Sequence, residues 1–206
     1  MVIALDKYLW YYIPKEKVKR GEKMKISLLG DSIRLLGYGK ETEKLLGEDF
    51  EVFQPEENCR FAKYTLRGIY EWRKNMKGSE IVHFNVGLWD TCTLFDNESF
   101  TDLDEYVKNT VKIAKILKDN YGKVIFATTT PVRQGKPDND NAIIDKYNAA
   151  VVPELSKMGV RINDLNALVK QDVDRYICDD LIHLSAEGIE LCAKAVADAI
   201  KKAAKE

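Results

Sequence analysis

The sequence predicts an α/β fold, a three-layer α/β/α sandwich built on a parallel sheet of about five strands. Short apolar or β-branched runs alternate along the chain with longer amphipathic stretches of helical period. Strands that are separated by helices of this length pair in parallel through crossover connections, so helices cover both faces of the sheet. In such a sheet a functional site is expected at the carboxyl ends of the strands.

Five runs have strand character, and they are followed by stretches with helical spacing of apolar residues. The helical pattern is clearest over 103–117 and 143–155, and a last helix is predicted to begin at Ser185. The predicted strands are 25–29, 50–53, 81–86, 123–128 and 160–162.

Length and composition indicate one globular domain. The chain has 206 residues, from which we predict a domain over 24–206 preceded by an N-terminal extension, 1–23. Its 32 Lys and Arg balance 33 Asp and Glu, which argues against a nucleic-acid partner that needs a broad basic face. The aromatic cluster 8–12 is expected to pack on the domain's own flank or on a second subunit, so an oligomer stays open.

Several further function classes are disfavoured by sequence pattern. The longest apolar run, 8–13, is far shorter than the roughly 20 residues of a membrane span, and the first residues lack the features of a signal peptide. We therefore expect a cytoplasmic protein. The four cysteines form no C-x-x-C pair, which predicts reduced thiols and gives no metal-ligand spacing.

Polar residues follow each predicted strand. Gly30-Asp31-Ser32 comes after the first, 58–65 after the second, 85–90 after the third and 128–133 after the fourth. Ser32 is placed at a strand-to-helix turn, where free backbone N–H groups and the positive end of a helix dipole can meet developing negative charge. This position suits a nucleophile.

A serine nucleophile needs a base, and the chain has two histidines. His83 lies inside the apolar strand, where a buried histidine bonded to backbone is the favoured interpretation. His183 follows Asp180 by three residues in a loop, so Asp180 can hold one ring nitrogen while the other faces Ser32; otherwise the two decorate a surface turn. Asp179 is the alternative to Asp180, but its side chain should point away from the ring.

These motifs show a resemblance. In order and spacing, the chain resembles the GDSL/SGNH hydrolase family over roughly residues 24–200, in a flavodoxin-like layout. The segments that carry the resemblance are Gly30-Asp31-Ser32-Ile33, 124–131, Asp180-x-x-His183 and 183–188. The resemblance implies that Ser32 is the nucleophile, His183 the base and Asp180 the residue that orients it. It also implies hydrolysis of esters, thioesters or sugar acetyl groups without a cofactor or metal.

The oxyanion-binding segments depart from the family pattern. The second block, 58–65, lacks the family's glycine, so a backbone N–H near Ala62 or Lys63 is expected to join that of Ser32 as a donor. The first block is Gly30-Asp31-Ser32-Ile33. In the third block, Gly87-Leu88-Trp89-Asp90, Trp89 takes the place of the family's asparagine. Asn85, at the same strand end, is either the replacement donor or a residue that caps the loop.

The remaining site predictions concern the substrate. Four residues are predicted to bind the substrate: Asp31, Arg34, Arg60 and Trp89. Either arginine could reach a carboxylate or phosphate of the substrate, unless it lies on the protein surface. Trp89 could form an apolar wall of an acyl or sugar pocket. The sequence thus predicts a serine esterase that acts on a small ester. The preferred substrate is an acetyl ester of a carbohydrate. The alternatives are a thioesterase or lysophospholipase with longer acyl chains, and a catalytically impaired α/β binding module.

Overall fold

The computed structural model describes residues 23–206, and all but the last residue of the predicted extension 1–23, including the cluster 8–12, lie outside the described residues. One parallel sheet organises the described part of the chain, with strand order β2-β1-β3-β4-β5. The predicted α/β class is therefore confirmed, and the strand ends differ from the predicted ones by at most two residues. The strands are β1 Met24–Leu29, β2 Phe50–Phe53, β3 Ile81–Phe84, β4 Lys123–Ala127 and β5 Arg161–Asn163.

Helices cover both faces of the sheet, as predicted. One face carries the π-helical turn Ile33–Tyr38 together with α1, α5 and α7, and the other carries α2, α3 and α4. None of the helices within residues 23–206 is long and apolar enough to cross a membrane. The helices are α1 Gly39–Leu46, α2 Ala62–Trp72, α3 Leu103–Asn120, α4 Asn141–Lys157, α5 Leu165–Val169, α6 Val173–Tyr176 and α7 Ala186–Ala204.

The strands bury side chains on both faces because each face is covered. In β4, Ile125 packs toward α7 while Val124 and Phe126 pack on the opposite side, where Phe84 of β3 meets Phe126 with 5.1 Å between ring centroids. A fully buried aliphatic or aromatic side chain stabilises a fold by about 1.5–3 kcal/mol. The near-continuous apolar runs of the sequence thus reflect a sheet that is buried on both faces.

The strand order places a topological switch point between β1 and β3. The chain leaves β1 toward the β2 edge and leaves β3 toward the β4 edge, so the loops that follow these two neighbouring strands diverge and leave a crevice between them. Ser32 follows β1 and Asn85 follows β3. The fold therefore brings the predicted first and third blocks to the same crevice.

The predicted start of the last helix is also confirmed. Ser185 is the N-cap of α7, and its Oγ accepts a hydrogen bond of 3.1 Å from the N–H of Gly188. The cap fixes where the helix begins. His183 consequently lies two residues before the cap, at the carboxyl edge of the sheet.

Candidate active site

Ser32 begins the π-helical turn that follows β1. The carbonyl of Asp31 accepts hydrogen bonds from the N–H of Arg34 (3.2 Å) and of Leu35 (2.9 Å), while Asp31 Oδ1 accepts one from the N–H of Ile33 (2.9 Å). These bonds fold the turn tightly around Asp31. Asp31 is buried as a result, whereas Ser32 stays partly exposed in a helical backbone conformation at the crevice. π-Helical turns are frequent at functional sites.

Asn85 approaches the first block so closely that residue 30 has to be glycine. A Cβ at Gly30 would lie 2.0 Å from Asn85 Oδ1. That oxygen accepts a hydrogen bond of 2.7 Å from the hydroxyl of buried Tyr38, which fixes the orientation of the amide. Burial raises the pKa of Asp31, and a hydrogen bond from the Asn85 side chain is the largest of the effects that oppose the rise. Asn85 thus lies in the floor of the crevice beside Asp31.

Asp31 therefore has a different place from the one predicted. Its side chain is 1% exposed and belongs to the floor beneath Ser32, so it offers a bound substrate almost no surface. The prediction that Asp31 binds substrate is corrected. Its structural bonds within the turn account for its burial.

Asp180 and His183 form a short hydrogen-bonded pair. His183 Nδ1 lies 2.5 Å from Asp180 Oδ2, and Asp180 Oδ1 accepts hydrogen bonds from the N–H of His183 (2.9 Å) and of Ile182 (3.0 Å). Burial opposes ionisation of Asp180, but the bonds from the backbone and ring of His183 outweigh it and hold the pKa of Asp180 well below its usual value. The carboxylate is therefore ionised at neutral pH and orients the imidazole.

The turn that carries this pair is held from a neighbouring loop. Arg133 follows β4, and its backbone N–H donates to the carbonyl of Leu181 (2.9 Å). The Nη1 atom of Arg133 lies 3.1 Å from Asp179 Oδ1. Leu181 has the left-handed backbone angle φ of +71°, which is uncommon for a residue with a Cβ. Asp179 points away from the imidazole, as the sequence predicts.

The first and last blocks meet at the carboxyl edge of the sheet. Leu184, next to His183, lies close to Gly37 of the π-helical turn, and the His183 charge acts on the Asp31 carboxyl. Within residues 23–206, neither the Ser32 hydroxyl nor Nε2 of His183 makes a hydrogen bond. Both groups are thus available for a reaction at this edge.

His83 is a buried strand histidine, as predicted. It is fully buried in β3, its ring lies edge-on to Tyr38, and burial lowers its pKa to about 3. Its Nε2 lies 3.4 Å from Nδ2 of Asn163, so its partner is a side-chain amide and not the expected backbone group. A neutral, enclosed imidazole cannot act on a substrate.

In the second block, the structure contradicts the prediction that the N–H of Ala62 binds the oxyanion. The N–H of Ala62, at the start of α2, donates to both carboxylate oxygens of Asp90, at 3.0 and 3.2 Å. It is therefore already bonded and cannot also bind an oxyanion. The backbone N–H of Lys63, one residue further into the helix, remains a prediction, and its side chain pairs with Glu105 at the surface.

Asp90 is a site residue that the sequence interpretation recorded only as the end of the third block. Its side chain is fully buried, and burial raises its pKa to about 7 against the opposing hydrogen bonds from Thr101 and Ala62. Asp90 thus joins the third block to the second. The signal for it in the sequence is an acidic residue in the loop that follows an apolar strand.

Arg60 occupies the conformation that glycine favours. Its φ is +49°, and its N–H donates to Asn58 Oδ1 (2.7 Å). The N–H of Cys59 donates to the carbonyl of Gly30 (3.1 Å), which places Arg60 beside the first block. The exposed guanidinium lies over the ring of Tyr64, with 4.9 Å to the centroid. The second block therefore contains a left-handed arginine that faces solvent.

Arg34 is buried, which corrects its predicted role in substrate binding. It is 1% exposed; Nη1 donates to the carbonyl of Pro55 (2.8 Å), and Nη2 to those of Gly30 (3.2 Å) and Glu57 (2.8 Å). The guanidinium joins the loop after β2 to the loop after β1. Arginines are mostly exposed, so the sequence held no sign of this location.

Trp89 lies on the rim of the crevice and is 43% exposed. Its loop begins at Gly87, where φ is +140° and a Cβ would lie 1.9 Å from Thr129 Oγ1. Phe100, further along the same connection, is also partly exposed and packs on Phe61 with 4.9 Å between ring centroids. The rim is thus aromatic.

Comparison with known proteins gives the fold. Neither a protein-family model nor a curated protein matches the sequence. A lipase/acylhydrolase from Enterococcus faecalis has a TM-score of 0.74 and 18% identity over 87% of this chain and 96% of that one. A catalytic mutant of an acetylxylan esterase from Geobacillus stearothermophilus has a TM-score of 0.73 and 17% identity over 89% of this chain and 96% of that one. A GDSL-like lipase from Bacteroides thetaiotaomicron has a TM-score of 0.70 and 17% identity over 87% of this chain and 88% of that one. The chain has the fold of GDSL/SGNH hydrolases.

Replacement of Arg34 should destabilise the protein. In Arg34→Met the carbonyls of Gly30, Pro55 and Glu57 lose their donor, and the Asp31 carboxyl loses the nearby cation. We expect urea unfolding to show a loss of about 3 kcal/mol or more. Arg67→Met on the exposed face of α2 is the control, with a change within about 0.5 kcal/mol. Equal stability of the two variants would contradict a structural role for Arg34.

Asp90 should make stability depend on pH. Because its pKa is raised to about 7, the folded protein holds a proton that the unfolded chain releases above about pH 4, so this group lowers the free energy of unfolding as pH rises from about 4 to about 7. In Asp90→Asn that decline is absent. Urea unfolding across this range should show the variant gaining on the parent by up to about 1.4 kcal/mol per pH unit. Exposed Asp119→Asn should run parallel to the parent, and a parallel curve for Asp90→Asn would refute the assignment.

Proposed function

We propose that this protein is a serine esterase that hydrolyses short acyl esters, acetyl esters first, through Ser32, His183 and Asp180. The observation that carries the proposal is the 2.5 Å Asp180–His183 pair on a turn that meets the Ser32 turn at one edge of the sheet. A carboxylate that holds Nδ1 of an imidazole leaves Nε2 free to act as a base. A partly exposed serine at a strand-to-helix turn is the group on which that base can act.

The reaction follows from these groups in two steps. Nε2 of His183 takes the Ser32 proton as Oγ bonds to the ester carbonyl carbon, and Asp180 stabilises the imidazolium that forms. The C–O bond then breaks, and the alcohol leaves with the proton from His183. Water attacks the acyl-enzyme in the same manner, with His183 as base, and Ser32 recovers its proton as the acid departs.

The oxyanion is stabilised by donors at the same edge. The proposed donors are the N–H of Ser32, the N–H of Lys63 in the first turn of α2, and the side-chain amide of Asn85, whose oxygen is held by Tyr38. Two of these are backbone groups that keep their place whatever the side chain. Each such donor is worth about 10²- to 10³-fold in rate.

A short acyl group is favoured by the packing beneath Ser32. The part of the crevice between Asp31, Asn85 and Thr129 has no space for a water molecule, which leaves no room there for a long acyl chain. The residues that line it come from the ends of β1, β3 and β4 and from α5: Asp31, Ile33, Tyr38, Asn85, Leu88, Thr128, Thr129, Thr130 and Leu165.

A carbohydrate is the proposed alcohol part of the ester. Trp89 presents an exposed indole at the rim, and aromatic faces suit the apolar face of a sugar ring. The similarity in fold to an acetylxylan esterase agrees with this choice. Arg60, exposed beside the first block, is the residue we propose for binding a carboxylate or phosphate on such a substrate.

A longer-chain acylhydrolase, such as a thioesterase or lysophospholipase, is the second candidate. An exposed apolar side chain close to Ser32 favours it, because Leu36 on the π-helical turn is 66% exposed. A long acyl chain could lie across this surface group.

Esters of p-nitrophenol with acetyl, butyryl and octanoyl groups test the proposal. We expect turnover to fall as the chain lengthens, because the crevice is closed. Ser32→Ala and His183→Ala should each lower kcat/KM by about 10³-fold or more, and Asp180→Ala by a smaller factor. Ser156→Ala on the exposed face of α4 is the matched control. Undiminished turnover by Ser32→Ala would overturn the proposal, and a preference for octanoate would favour the second candidate.

Trp89 should determine the affinity for sugar esters. Trp89→Ala should raise KM for acetylated xylo-oligosaccharides by about tenfold and leave p-nitrophenyl acetate unchanged, because only the sugar contacts the indole. Trp89→Phe should recover part of the affinity. Phe95→Ala, which removes another exposed aromatic residue of the same loop, is the control. An equal loss on both substrates would mean that Trp89 supports the site and does not bind the sugar.

A further inference from the structure

The Asp180 carboxylate receives a fourth hydrogen bond that the proposed mechanism does not use. Cys178 Sγ lies 3.1 Å from Asp180 Oδ1, the oxygen that also accepts the N–H groups of Ile182 and His183. Oδ2 is left to the imidazole. One carboxylate oxygen is thus occupied by structural donors and the other by the ring.

The backbone fixes Cys178 in this position. Its N–H donates to the carbonyl of His183 (2.8 Å), and its carbonyl accepts from the N–H of Leu181 (3.0 Å). A β-bridge joins Ile177, which precedes Cys178, to Leu184, which follows His183. Cys178 therefore closes the turn at its base and directs its side chain to the carboxylate.

The thiol is a donor in this contact. Burial and the neighbouring Asp180 raise the pKa of Cys178, so the sulfur keeps its proton at neutral pH. An ionised carboxylate can only accept, so the S–H of Cys178 points to Oδ1. The bond is charge-assisted, since the acceptor is an anion.

We propose that Cys178 is a positioning residue that sets how strongly Asp180 attracts the His183 imidazolium. Its S–H shares the charge of Oδ1 and so limits the basicity of the carboxylate that faces the ring. Removal of the donor leaves more negative charge for Nδ1–H and retains the proton on the imidazole to higher pH. This role rests on the proposed function, in which His183 must lose that proton to act as a base.

Two carboxyl groups of residues 23–206 interact with His183. Asp180 faces it from its own turn, and Asp31 acts on it from the end of β1. Asp179 pairs with Arg133 and faces away. A substitution at Cys178 changes none of these charges, so a shift in the titration of the ring reports on the hydrogen bond to Asp180.

A proton NMR titration of the tag-free protein measures this effect directly. The chain has two histidines, and burial lowers the pKa of His83 to about 3, so the ring signal that stays constant above about pH 5 belongs to His83 and the other ring signal is assigned to His183. We expect the midpoint of that titration to rise by about half a pH unit in Cys178→Ala, a shift of the size that loss of one hydrogen bond gives. Cys178→Ser retains a donor and should restore the midpoint. Cys92→Ser, on the loop after β3, is the control.

Ester hydrolysis by the same variants gives a second readout. Cys178→Ala should lower kcat/KM by about threefold on the acid side of the pH profile, the factor that half a pH unit gives, with little change in KM. The acid limb of the profile should move with the NMR midpoint, and Cys178→Ser should recover the loss. An unmoved midpoint in Cys178→Ala, or equal shifts in the Ala and Ser variants, would overturn the inference even if esterase activity is present. A midpoint that moves and is restored as expected in a protein without esterase activity would support the inference and reject the proposed function.

Discussion

A buried cation holds the candidate site together. The Arg34 guanidinium lies in the interior and donates to three backbone carbonyls, and the Asp31 carboxyl lies nearby. Removal of an arginine from water is costly unless its donors are satisfied and its charge is balanced, and here most of the donors have partners. The loops after β1 and β2 are consequently fixed relative to each other, and with them the backbone on both sides of Ser32.

Two further polar contacts extend this arrangement to the third block. Asp90 binds the N-terminal end of α2, and Asn85 fits against Gly30, where a larger residue has no room. Each of the three loops is thus joined to the other two by buried hydrogen bonds or close contact. Groups held in this way do not need to reorganise when charge develops, which is the condition for electrostatic catalysis.

Most of the fold could be predicted because strand and helix periodicity is local information. The positions of Ser32, Asp180 and His183 in the fold could also be predicted, since a strand end and an i, i+3 spacing are visible in the sequence. The places of Arg34 and Ala62 were not, because they depend on which carbonyls and carboxylates the other loops bring near. The left-handed backbone of Arg60 was equally hidden, since only the path of the loop requires it.

The last helix links completion of the core to completion of the site. α7 supplies Cys192, Val196 and Ile200 to the apolar layer that covers Ile26 of β1, and it directly follows the turn that carries His183. The ribosome synthesises β1 early and α7 late, so one face of the sheet stays uncovered in the nascent chain until His183 has also been synthesised. A chain that stops before this turn would therefore lack both His183 and the helix that covers the face, and it would be prone to aggregate.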